Sequence, residues 1–132
     1  LEMIGDDMTR HGRETVRILQ GRFDYPREGL DAILAHNGDV LDIPCRTLFD
    51  HAVTAGESIT GMVFAMALIL PSRQLQDVKP KSVAKRMREP RFAANVSRDR
   101  ISHHADLGIE LVEFCTISVR AMQAIDGQLA EA

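Results

Sequence analysis

One long apolar segment constrains the fold of this chain more than any other feature. Between Ser58 and Leu70 the side chains are apolar on almost every face of a helix, which predicts a helix in the middle of a bundle. Thr54 and Glu57 fit a capping box, so we expect this helix to begin there, and Pro71 ends it. The apolar run from Ile59 to Leu70 is twelve residues long, too short to span a bilayer, and we expect no membrane association.

Helix signals recur along the rest of the chain, and no stretch shows the alternation of a strand. Caps, prolines and glycines divide it into further predicted helices over residues 11–20, 26–36, 46–52, 81–88, 97–106 and 109–129. Gly21 ends the first of these, and Asn37 with Gly38 ends the second because both tolerate a positive φ. The pattern predicts an all-α fold, a bundle of about six to eight helices forming a single domain over residues 1–132.

The last predicted helix has a regular apolar face. The residues on it follow the spacing of one helical side: Val112, Val119, Met122, Ile125 and Leu129. Cys115 falls on the same side, so we expect all six side chains to pack against the core.

The composition is that of a soluble globular protein, with 45% apolar and 27% charged residues. A net charge of −3 predicts no general attraction to nucleic acid or to anionic lipid. Cys45 and Cys115 lie seventy residues apart, which indicates two reduced, buried thiols and no disulfide framework. No leader pattern is recognisable, and we expect a cytoplasmic location.

Several short motifs occur in a particular order. They are Ala35-His36-Asn37, Glu57-Ser58-Ile59-Thr60-Gly61, Pro71-Ser72, Lys81-Ser82-Val83 and the segment from Arg91 to Asp99. The series resembles the C-terminal two-thirds of small HD-superfamily (HDIG-type) metal-dependent phosphohydrolases, over about residues 1–130. This resemblance implies an HD-domain-like helical bundle and a degenerate phosphohydrolase, which would be metal-dependent if it is active.

The family's His-Asp doublet lies in a Leu-His-Asp-Ile-Gly segment, which corresponds here to Leu1-Glu2-Met3-Ile4-Gly5. Glu2 and Met3 therefore stand where the family has two metal ligands. The resemblance implies that the chain is shortened at its N-terminus, because the helix carrying the family's first His would precede residue 1. Leu1-Glu2 also fits a vector-derived junction before a start at Met3, which would explain the absent doublet differently.

The same correspondence implies a metal-ligand set of His11, His36, Glu57 and Glu2. This set would hold one divalent ion (Mn, Mg, Fe, Ni or Zn) or none, because the thioether of Met3 is a poor ligand for Mg²⁺ or Mn²⁺. In the family such a metal activates a bound water for attack on phosphorus. Simpler interpretations stay open: Glu57 as a capping residue, His36 as a favourable charge at a helix C-terminus, and His11 as a surface residue.

His103, His104 and Asp106 form a second cluster of ligand types. Adjacent residues on a helix point about 100° apart, so the two histidines cannot face one ion. We therefore expect a surface feature at this place.

Cations are concentrated between Lys79 and Arg100, a segment that contains eight Lys and Arg residues but only two acidic residues. The segment carries +6, which leaves −9 for the rest of the chain. Lys81, Lys85 and Arg91 are candidate ligands for a phosphorylated small molecule. The segment's single aromatic residue, Phe92, argues against base stacking, so a structural or intersubunit role is favoured over nucleic-acid binding.

A different class of function also fits the sequence. A bundle that has lost its first helix would expose an apolar groove, and a second copy could cover it in a homodimer. The chain would then be a non-catalytic self-association module. Nucleic-acid binding through Lys79 to Arg100 is a weaker alternative.

Overall fold

The structure, a computed structural model, describes residue 5 and residues 7–129, without the side chains of residues 127–129. Over this range the chain is all-α and has no strand. The seven α-helices of these residues are α1 (Arg13–Arg22), α2 (Arg27–Ala35), α3 (Gly38–Leu41), α4 (Leu48–Ile69), α5 (Pro80–Arg86), α6 (Arg98–Ser102) and α7 (Leu111–Leu129), with 3-10 turns at Leu75–Asp77 and Ala105–Leu107. The predicted all-α class is confirmed, with a helix number inside the expected range.

The chain divides into two compact units, Leu1–Thr54 and Ala55–Ala132. The boundary lies inside α4. The first unit contains α1 to α3 and the first turns of α4, and the second contains the rest of α4 with α5 to α7. The organisation as one domain stays a prediction.

In the first unit α2 packs against α1 and α3. Its buried apolar side chains are Leu30, Ala32, Ala35 and Leu41. Asn37 is fully buried beside them, and its side-chain amide donates to the carbonyls of Met8 (2.8 Å) and His11 (3.2 Å). A buried amide is stable only when it is hydrogen-bonded, so Asn37 fixes the segment before α1 against the end of α2.

The end of α2 is close to the predicted position, but the predicted reason is wrong. Asn37 has φ −107°, and the left-handed residue is Asp42, with φ 56° after α3. Gly38 is needed for space: a Cβ at this position would lie 1.9 Å from the carbonyl oxygen of Ile43. A glycine signal in sequence does not distinguish a left-handed backbone from a close backbone approach.

The capping box predicted at Thr54 and Glu57 is also wrong, because α4 is continuous from Leu48 to Ile69. The helix begins instead at an earlier capping box, formed by Thr47 and Asp50. The Asp50 amide donates to Thr47 Oγ1 (3.1 Å), and Asp50 Oδ2 accepts in return from the Thr47 amide (3.0 Å). Both boxes fit the capping-box sequence pattern. Because the helix starts at the earlier one, the two helices predicted over 46–52 and 58–70 are one continuous helix.

The core of the second unit is aliphatic and contains several methionines. Its buried side chains are Ala55, Ile59, Met62, Val63, Met66, Ala67, Leu75, Val78, Val83, Ala84, Ile101, Phe114, Cys115, Val119 and Met122. α7 packs against α5 and against the 3-10 turn at Leu75–Asp77. The side-chain amide of Gln123 donates to the carbonyls of Leu75 (3.0 Å) and Val78 (3.2 Å), which holds this turn on α7.

The predicted apolar face of α7 is confirmed in its middle. Cys115, Val119 and Met122 are buried, whereas Val112 and Ile125 are 46% and 43% exposed. Val112 lies in the first turn of α7, where it lines a cavity beside α5. The side chain of Leu129 lies outside the described residues.

By length and composition alone, α4 could cross a membrane, with 22 residues and a mean hydropathy of 1.6 over its most apolar window. Of that window, 44% is buried within the protein, and core helices of soluble proteins have the same composition. The prediction that this segment is too short to span a bilayer rested on a run of twelve residues. It loses its basis because the two predicted helices form one helix of 22 residues.

Candidate metal site in the first unit

His11 and His36 are 25 residues apart in sequence and meet in the structure. Their Nε2 atoms are 2.8 Å apart, and the rings pack edge to face with centroids separated by 4.8 Å. His11 precedes α1, and His36 is the C-cap of α2. The structure therefore brings together two of the four ligands that the resemblance implies.

Three local features hold this pair. The Nδ1 of His36 hydrogen-bonds the carbonyl of Ile33, one turn earlier in α2. Gly12 has φ 83°, and a Cβ there would lie 3.0 Å from the same Ile33 carbonyl oxygen. Asn37 holds the His11 carbonyl from the other side. The turn before α1 therefore lies directly on the last turn of α2.

The contact of His36 with Ile33 determines which ring nitrogen carries hydrogen. A carbonyl can only accept, so Nδ1 of His36 donates, and Nε2 of the neutral ring presents a lone pair towards His11. In the metal-free pair the Nε2–H of His11 donates to that lone pair. Metal-binding histidines commonly donate their other ring N–H to a backbone carbonyl in this way, which orients the ring and raises its basicity.

The separation of the two Nε2 atoms suits a shared ion. Metal–imidazole bonds of about 2.1 Å at a right angle place two nitrogens about 3 Å apart. Both rings would have to turn for their lone pairs to meet at one ion, because in the hydrogen-bonded pair the two Nε2 atoms point at each other. Within the described residues, no group of three or more His, Cys, Asp or Glu ligands includes either histidine.

Of the other two implied ligands, one belongs to the second unit and one is not described. Glu57 belongs to the second unit, where it is exposed on α4 and its Oε2 accepts from the hydroxyl of Ser58 (3.0 Å). Glu2 lies outside the described residues. The full four-ligand set stays a prediction.

A Cys/His pair near the start of α4 was not singled out from the sequence. Cys45 Sγ and a ring nitrogen of His51 lie within 4.8 Å of each other, and Cys45 Sγ is 3.3 Å from Thr54 Oγ1. Thiolate and imidazole are ligand types that could hold a metal ion, zinc in particular. The sequence signal is a cysteine and a histidine six residues apart around a helix start, a spacing that is too common to predict a site.

Two of the candidate phosphate ligands share one cavity of the second unit. Lys81 and Lys85 line a cavity of 380 Å³ together with Arg88, which the sequence did not single out. Arg91, the third predicted ligand, is exposed and does not line it. Arg88 lies in the turn just after α5. The sequence signal for it was the spacing of four and then three residues within the helix predicted over 81–88, because such residues share a helix face.

Other cations of the basic segment support the fold. Both terminal nitrogens of Arg98 donate to backbone carbonyls, those of Glu89, Phe92, Ala93 and Val96. Arg86 pairs with Glu89 and lies over the Phe92 ring at 5.0 Å. These two cations close the loop between α5 and α6, in agreement with the structural role expected for part of the segment.

His104 also has a structural contact. Its Nδ1 is 2.6 Å from the Ile109 carbonyl oxygen, and its ring stacks on Phe114 with centroids 5.8 Å apart. The side chain is half-buried and is not the simple surface feature that was expected. The hydrogen bond spans the left-handed Gly108 between the 3-10 turn and α7.

Comparisons with protein-family models, with curated proteins and with solved structures find no match to this chain. The resemblance to the HD superfamily therefore stays a prediction that rests on the sequence motifs.

Proposed function

We propose that this chain is an HD-superfamily-like protein whose first unit binds one divalent metal ion through His11 and His36. The observation that carries the proposal is the 2.8 Å approach of their Nε2 atoms, with the His36 ring oriented by the Ile33 carbonyl. Both residues correspond by position to ligands of the metal-dependent phosphohydrolases. The protein would then be a degenerate relative of these enzymes.

The donor set favours some metals over others. Imidazole nitrogen suits Zn²⁺, Ni²⁺ and Fe²⁺ better than Mg²⁺, which prefers oxygen. Two protein ligands leave several coordination positions for water or for the oxygens of a phosphorylated small molecule. A metal at this place would supply a water of lowered pKa and would polarise a phosphoryl group. The chain's own contribution is to orient the rings, through Ile33, Gly12 and Asn37.

A metal titration tests the proposal. Ni²⁺ or Zn²⁺ should raise the melting temperature of the protein, because an ion that binds only the folded state stabilises it. His11→Ala and His36→Ala should each abolish most of the rise, and acid should weaken it because protons compete for imidazole. Glu57→Gln reports whether that carboxylate belongs to the set. An equal rise in the wild type and both His variants would contradict the proposal.

Self-association is a second candidate function, and an apolar surface on α4 favours it. Phe64 and Leu68 lie four residues apart on one face and are 48% and 64% exposed, and Ile69 beside them is 51% exposed. Large apolar side chains clustered on one helix are typical of a contact surface. We propose that a second copy of this chain covers them in a homodimer.

Nucleic-acid binding stays the weaker proposal. Arg86 and Arg98 are engaged within the fold, which reduces the number of cations free to meet a phosphate backbone. Arg86 lies over one face of the Phe92 ring, which leaves less of this ring available for base stacking. A mobility shift that weakens steeply with salt would support this function.

A further inference from the structure

A cavity of 380 Å³ lies beside α5 in the second unit. Three cations line it, Lys81, Lys85 and Arg88, together with one carboxylate, Glu110. The rest of its wall is apolar and comes from Ala84, Leu111 and Val112. Its volume falls within the range of small-molecule sites, roughly 300–1,000 Å³.

Glu110 compensates only part of the positive charge in this cavity. In the part of the chain that the structure describes, Lys81, Lys85 and Arg88 form no ion pair. Lys81 and Lys85 are four residues apart on α5, where like charges repel each other. Two neighbouring cations do have partners within the fold: Arg86 is paired with Glu89, and Arg98 donates to four backbone carbonyls.

The first turn of α7 forms part of the same wall. α7 has 19 residues, and its first intrahelical bond runs from the Phe114 amide to the Glu110 carbonyl. The amides of a helix's first turn have no intrahelical acceptor, and the helix dipole adds positive potential at this end. The N-terminus of α7 and the three cationic side chains therefore both favour a negatively charged group in this cavity.

We propose that this cavity binds a phosphorylated small molecule, with its phosphate between Lys81, Lys85 and Arg88 and its organic part against Leu111 and Val112. Three cations and one carboxylate leave two positive charges, which match the charge of about −1.5 to −2 on a phosphomonoester at neutral pH. Arg88 supplies the planar fork that suits phosphate oxygens. The site lies outside the metal-binding unit, so it goes beyond the proposed function and uses no metal.

A small phosphate ester fits this geometry better than a nucleic acid. The cations converge on one concave cavity, whereas a nucleic-acid surface needs an extended basic stripe. More than half of the lining surface is apolar, which suits the carbon skeleton of a small ligand. A nucleic acid is one outcome that the test separates.

Calorimetric titration of the full chain in chelating-resin-treated buffer tests the site, with phenyl phosphate and inorganic phosphate as probes. We expect phenyl phosphate to bind more tightly, because its ring contacts the apolar wall. Lys85→Gln with Arg88→Gln should weaken binding about tenfold or more, since each removes a charge-assisted contact. The matched control is Lys79→Gln with Arg91→Gln, which removes equal charge outside the cavity and should change the affinity less than about twofold.

Four results would overturn the inference. They are no binding at millimolar probe, equal weakening in both double variants, no preference for phenyl phosphate, and a short oligonucleotide that competes in the wild type but not in the control variant. Circular dichroism of each variant confirms that it is folded, and Lys81→Gln provides a third, single-site check. Loss of metal binding at His11 and His36 leaves the expected result unchanged, so the two proposals fail separately.

Discussion

At the scale of single residues, the ring of His36 carries the most specific prediction. Because Ile33 presents a carbonyl, the neutral ring should hold its hydrogen on Nδ1, while His11 holds its hydrogen on Nε2. Long-range proton–nitrogen NMR spectra of the metal-free protein distinguish the two tautomers. His104, whose Nδ1 also faces a carbonyl, serves as the internal reference. An Nε2–H tautomer at His36 would contradict the geometry of the pair.

Cys115 gives a second prediction at this scale. Burial raises the pKa of its thiol from the ordinary value of 9.0 to about 11, because the interior disfavours the thiolate. At pH 8 only about one thiol in a thousand would be ionised, so a disulfide reagent should label half-buried Cys45 long before Cys115. Comparable labelling rates in the folded protein would show this prediction to be wrong.

The same shift sets a direction for stability against pH. The unfolded chain loses the thiol proton near pH 9, whereas the folded chain keeps it until about pH 11. The unfolded state therefore binds fewer protons in this window, and the free energy of unfolding falls as the pH rises from 9 towards 11. Cys115→Ala should remove that part of the slope, while Cys45→Ala should keep it.

At the scale of elements, the start of α4 can be tested by mutation, because two capping boxes, at Thr47 and at Thr54, compete for it. Thr47→Ala removes the observed cap and should cost about 1 kcal/mol of unfolding free energy, measured by urea denaturation. Glu57→Ala lies in the interior of α4 and should stay within about 0.5 kcal/mol of the wild type. The reverse order of the two variants would mean that the helix begins at Thr54.

Helix existence was predictable from sequence, and helix ends were less so. Periodicity and breakers indicated α1, α2, α5 and α7 within a few residues, and Ser97 caps α6 as expected, accepting from the Arg100 amide at 3.2 Å. The start of α4 was missed because two capping boxes compete, and local sequence does not rank them. The reason why position 38 needs a glycine was missed, because it is a close approach of the Ile43 carbonyl that only the folded backbone creates.

At the scale of the whole molecule, self-association is the property to measure. The wild type should sediment as a dimer at micromolar concentration, because the exposed face with Phe64 and Leu68 favours burial. Phe64→Glu or Leu68→Glu should give a monomer, while Thr60→Glu, also exposed on α4, should not. A monomeric wild type at these concentrations would exclude the homodimer.

The candidate sites show where sequence reasoning stopped. Position in a family resemblance pointed to His11 and His36, yet their meeting depends on how α1 packs against α2. The basic segment was visible as charge, but only the packing of α5 and α7 selects Lys81, Lys85 and Arg88 for one cavity and leaves Arg91 outside it. Ligand sets are made by contacts between elements distant in sequence, which no local pattern encodes.

The sequence by itself determined that the chain is all-α and where most of its helices lie. Helical periodicity and the conformational limits of proline and glycine act over a few residues, so the sequence alone reveals them. Only the tertiary structure decided which of two capping boxes begins α4, that two histidines 25 residues apart share a hydrogen bond, and which cations face one cavity. These features depend on packing between elements, whose energies are not local to any segment of the chain.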